Sequence, residues 1–130
     1  MGLNETRKMK ELREAVIPSR VREIEEICGV PIPYDIDWQS LSNDLEGLNF
    51  LDNLSCHRVN MALRVICQDD LGKEAARQGP KTIRLKNVKS RDDMKMSFEN
   101  GVLEMHCAYA LRTDGMFGDG EIRTLMMERL

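Results

Sequence analysis

The chain has 130 residues, of which 42% are hydrophobic and 32% charged, and carries a formal net charge of −3. That length suits one globular domain (1–130) that buries its own core without disulfide or metal staples. No apolar run approaches the ~20 residues that span a bilayer, and the stretch from Met1 to Lys8 lacks the apolar core of a secretion signal, so a soluble, cytoplasmic protein without membrane partners is expected.

Four cysteines stand at positions 28, 56, 67 and 107 with no tight spacing, which in such a chain reads as buried reduced thiols. The charge is segregated. From Glu23 to His57 there is no Lys or Arg, while acids recur at Glu23, Glu25, Glu26, Asp35, Asp37, Asp44, Glu46 and Asp52. From Lys81 to Arg91 the order reverses, with five bases and no acid. Such blocks either meet in the fold or present opposite fields to partners.

In chain order, Asn4 can cap a helix to residue 17, with Met9, Leu12 and Val16 at helical spacing. Pro18 is expected to interrupt it and Pro18-Ser19 to open a second helix, which Gly29 and Pro31 stop. Residues 1–29 thus form a helical arm, expected to pack on its own domain. Between Ile32 and Trp38 apolar side chains alternate with Asp35 and Asp37, and the prolines with outward acids indicate an edge strand near 32–38. Asn43 with Glu46 resembles a capping box, giving a short helix over about 43–52.

Ser55 is placed as the cap of a longer helix carrying Val59, Ala62, Leu63 and Ile66. Asp69 to Gly72 permits a break and restart before Gly79-Pro80 ends the segment. Lys81 to Val88 reads as a strand with Ile83 and Leu85 inward. A hairpin follows: Met94 to Cys107 is two alternating runs joined by Asn100-Gly101, a type I′ hairpin signal. Its register pairs Glu99 with Val102, Phe98 with Leu103, Met96 with Met105, Met94 with Cys107, Ser97 with Glu104 and Lys95 with His106. Asp119 then caps a terminal helix over about 120–130. The implied architecture is α+β: a small antiparallel sheet, made of a three-strand meander over 81–109 plus the edge strand, with helices mainly on one face.

Cys56-His57 and His106-Cys107 spell a Cys2His2 set, but neighbours on a strand point to opposite faces, so neither a metal nor another cofactor is expected. Cys56 with His106, or Cys107 with His57, would make a nucleophile pair only with an exposed thiol. The glycines at 115, 118 and 120 lack any phosphate-loop pattern.

Three readings of function remain, and the sequence ranks them without choosing. The first is a small non-enzymatic protein-binding or regulatory module that docks a basic partner through Asp35, Asp37, Asp44, Glu46 and Asp52. The second is a hydrolase-type enzyme in which Asp35, Asp37, Glu104 and His106 share acid–base work or hold a divalent ion. The third is nucleic-acid binding through Arg84, Lys86 and Lys89, disfavoured by the absence of interleaved aromatics. Self-association through the helical arm or the strand edges stays open.

Overall fold

A computed structural model describes residues 2–130; Met1, the first residue of the expected arm, lies outside the described residues. Helices α1 (Leu3–Glu11), α2 (Ile17–Cys28), α3 (Leu45–Leu51), α4 (His57–Ile66), α5 (Asp70–Gln78) and α6 (Asp119–Arg129) surround strands β1 (Tyr34–Ile36), β2 (Thr82–Asn87), β3 (Lys95–Glu99) and β4 (Val102–Cys107). The α+β class is as expected, and α1 and α2 pack on α3 and α4.

The hairpin register is as read, from Glu99–Val102 through Lys95–His106. Asn100 and Gly101 take φ of 54° and 80°, the type I′ pair that Asn tolerates and Gly adopts freely. Met94 falls just before β3, so its pairing with Cys107 does not form.

The sheet itself corrects the expected meander. Its order is β1-β2-β4-β3, with β1–β2 and β2–β4 parallel and only β3–β4 antiparallel, so it is mixed. β4 buries Leu103, Met105 and Cys107 and takes the interior position, while the more polar β3 goes to the edge. Backbone bonds from Lys81 N–H to Gly101 O and from Val88 N–H to Cys107 O tie β2 to β4 at both ends. The edge strand near 32–38 exists but is short: β1 lies parallel to β2 and Trp38 opens a 3-10 turn. The helices between β1 and β2 supply the crossover that parallel strands need.

Two helix boundaries also differ. Residues 3–28 form one continuous helical rod, because Leu12–Val16 adopts a π-helical turn just before Pro18. Proline offers no N–H to the carbonyl four residues back, and the wider turn leaves room for its ring. A second π turn, Asp52–Cys56, fuses α3 and α4 into a rod from Leu45 to Ile66. Ser55 is therefore buried inside the helix rather than capping it. Asp44, not Asn43, caps α3 by accepting from Gly47 N–H at 2.8 Å. Gly118 stands at the N-cap of α6, one residue before the expected Asp119. Gly29 closes α2 at φ 87°, and Asp69 caps the restart into α5.

One face of the sheet is apolar. Ile83, Leu85, Leu103, Met105, Cys107 and Phe98 are buried with Leu48, Leu51, Val59, Leu63, Ile122 and Met126 of the helices. Each such large side chain contributes about 1.5–3 kcal/mol on burial. The opposite face presents Asp35, Arg84, Lys86, Lys95, Ser97 and Glu99 to solvent.

Candidate functional site

The uncovered sheet face gathers part of the expected acid–base set. Asp35, Arg84, Glu104 and Ser97 occupy one cross-strand row of β1, β2, β4 and β3. Arg84 Nε donates to Asp35 Oδ2 at 3.1 Å and Nη1 to Glu104 Oε1 at 3.5 Å. His106 Nε2 lies 2.8 Å from Glu104 Oε2. His106, with Arg84, holds the Glu104 carboxyl below its ordinary range, and Asp35 and Glu104 raise the Arg84 guanidinium above its own. Asp35 and β4 are separated by β2, about 10 Å at two strand spacings. Asp37 leaves the face altogether and caps the 38–41 turn through Ser40 N–H at 3.2 Å.

The acids of 35–52 do not form one free surface. Asp44 is spent on the α3 cap and on Asn87 Nδ2 at 3.0 Å. Glu46 lies 3.6 Å from Arg112, whose guanidinium covers the Phe50 ring at 5.3 Å. Asp52 accepts two bonds from Arg20, at 2.8 and 3.0 Å. Of the three expected phosphate-binding bases, Arg84 sits between two carboxylates. Lys86 shares a row with His106, and Lys89 borders a polar groove with Ser40, Asp44 and Asn87.

All four thiols are buried. Burial pushes Cys28 up to about 12, and Cys56 and Cys107 are raised for the same reason. Cys28 and Cys67 meet at 3.3 Å between sulfurs, at the C-terminal ends of α2 and α4. His106 and Cys107 take opposite faces of β4, as their adjacency requires.

Sequence reasoning missed two arrangements. The first is a polar network between the two helical rods. Arg20 bridges Asp52 and Glu23, Asn60 donates to Glu23 at 2.5 Å, and Tyr34 OH donates to Asn60 Oδ1 at 2.7 Å. Burial pushes Glu23 up, but the bonds from Asn60 and Arg20 outweigh it and hold the carboxyl below its ordinary value. The available signal was Asn60, a polar residue among the buried Val59, Ala62 and Leu63.

The second is the seam between edge strand β3 and α6. One groove of about 440 Å3 is lined by Met96, Gly120, Glu121, Thr124, Leu125 and Glu128. Another of about 420 Å3 follows along the same two elements, lined by Phe98, Glu99, Arg129 and Leu130 with Gly79, Asn100 and Gly101. In a two-residue hairpin Glu99, Ser97 and Lys95 bond to β4, so the N–H and C=O of Met96 and Phe98 point outward. Among the described residues nothing outside the hairpin bonds to them. Glu99, Glu121 and Glu128 take part in no ion pair among the described residues. A separate apolar groove, with Val65, Leu71 and Met127, runs between α4, α5 and the end of α6.

No helix among the described residues is long and apolar enough to cross a membrane. No family model, curated protein or solved structure matches the chain.

Proposed function

We propose that this chain is a non-enzymatic protein-binding module for a basic partner, and that the partner docks at the β3–α6 seam. The observation that carries the reading is the contrast in how acids are used. Asp35, Asp44, Glu46 and Asp52 already serve Arg84, the α3 cap, Arg112 and Arg20. Glu99 and Glu128 have no such partner among the described residues, and Glu121 is engaged only by the Gly118 N–H of the α6 capping box and by no base among them. All three line an unpaired strand edge. Carboxylates that no base neutralises, set beside an open edge, attract cationic chains and orient them for docking. The basic partner expected from the acidic stretch is thereby kept, and its contact surface moves from 35–52 to the seam.

Charge reversal tests this. Capture of binding proteins from extract of the native host, read by quantitative mass spectrometry, is expected to fall at least about tenfold for Glu121→Lys/Glu128→Lys. Glu46→Lys, on an exposed carboxylate away from the seam, leaves capture unchanged. The reverse pattern would return the docking surface to the 35–52 segment.

A second reading, acid–base hydrolysis, is favoured by the 2.8 Å contact of Glu104 with His106. Turnover of a panel of nitrophenyl esters and phosphates, abolished by His106→Ala, would support it. Unchanged background hydrolysis removes it.

A further inference from the structure

We propose that the β3–α6 seam takes an extended peptide strand that adds to the edge of the sheet, with a Lys or Arg and an apolar residue two positions apart. This deepens the protein-binding reading and rests on it. The backbone supplies the first half of the recognition. Met96 and Phe98 offer outward N–H and C=O groups at every second position of β3, which is the template that an added strand requires. The competing edge is poorer. β1 has three residues against five in β3, and Pro33 precedes it.

The side chains supply the second half. In an added strand alternate residues point toward α6, where the two grooves lie in succession. The first is floored by Met96 and Leu125 and walled by Glu121 and Glu128. A Lys or Arg fits this composition, its stem on the apolar floor and its charge at the carboxylates. Two positions along, the second groove offers Phe98 and Leu130, which suits a Leu or Val. The intervening residues of the ligand would lie beside Lys95, Ser97 and Glu99 on the open face, where small polar side chains suffice. β3 spans about 17 Å at the strand rise, and α6 about 16 Å at the helix rise, so groove and edge match in length.

The test uses the full chain and the synthetic peptide acetyl-Thr-Lys-Thr-Leu-Thr-Lys-Thr-amide. Amide hydrogen exchange at Met96 and Phe98 is expected to slow at least about tenfold on saturation, with little change at Tyr34 to Ile36. The same peptide N-methylated on alternate residues loses those bonds and should not bind. Glu121→Lys/Glu128→Lys should weaken the unmodified peptide at least about tenfold. Met96→Pro removes an outward N–H but no bond to β4, so it should abolish binding while hairpin amides stay protected.

Equal binding of the N-methylated peptide would overturn strand addition, as would a failure of the unmodified peptide to slow exchange at Met96 and Phe98. A stable dimer that protects both amides without peptide would make a second copy the occupant, and would also overturn it. If strand addition fails while host capture still depends on Glu121 and Glu128, the protein-binding reading stands alone. If capture ignores those residues, that reading falls as well.

Discussion

Arg20 and Asp52 are 32 residues apart in sequence and meet through two hydrogen bonds at the junction of the helical rods. Both side chains are half-buried, and the bond to Glu23 that Arg20 keeps makes up only in part for the loss of Asp52. Asp52→Ala should cost about 2–3 kcal/mol in urea unfolding. Glu23 allows a pH test of the same network. Its carboxyl is lowered by folding from an unfolded value near 4.3, so its contribution is complete above about pH 5 and is lost as pH falls through the folded value. The stability gap between the wild type and Glu23→Gln is therefore expected to close in acid. A gap that widens below pH 4 would contradict the assignment. The thiols give a further residue-level prediction. With all four buried, labelling by a disulfide reagent should proceed only as fast as the chain opens.

At the scale of elements, the hairpin turn is legible locally, whereas the continuity of the two helical rods, the exact helix caps and the distant strand pairing are not. Asn100-Gly101 specifies its turn within four residues, and the register follows from it. Nothing local marks 82–87 and 102–107 as parallel partners, so from sequence the next strand along the chain reads as β2's neighbour. Pro18 and Ser55 read as helix boundaries because those rules assume α geometry. The π turns at 12–16 and 52–56 each absorb an extra residue and carry the rod through. Ser55 then points inward, where its Oγ lies 2.6 Å from Tyr109 OH. Ser55→Ala should cost about 1–2 kcal/mol, since the buried phenol loses its nearest oxygen partner. In the hairpin, Gly101→Ala should destabilise by more than about 1 kcal/mol, whereas Asn100→Gly should be near neutral. A Cβ at 101 would stand 2.9 Å from Gly79 O, in a backbone conformation that alanine disfavours.

For the whole molecule, the same mispairing explains why the candidate site shifted. With β3 in the middle of a meander, its backbone would have been spoken for and no seam with α6 would exist. At the edge, β3 carries unpaired backbone groups beside α6, on which Glu121 and Glu128 form no ion pair among the described residues. The acidic stretch was legible as a block of charge, but its bases came from elsewhere: Arg84 from β2, Arg20 from α2 and Arg112 from the turn after β4. Only folding shows that it is largely neutralised within the chain. The ladder Asp35–Arg84–Glu104–His106 is the part of the expected site that did assemble, without Asp37.

The central claim is that a protein partner sits on the β3–α6 seam. A photo-crosslinking amino acid placed at Thr124 inside the seam, at Leu71 in the apolar α4–α5 groove, and at Asn49 on exposed α3 surface tests it in the native host. A discrete adduct with a basic protein is expected from position 124, lost in Glu121→Lys/Glu128→Lys, with none from 71 or 49. Adducts from 71 or 49 and none from 124 would contradict the account.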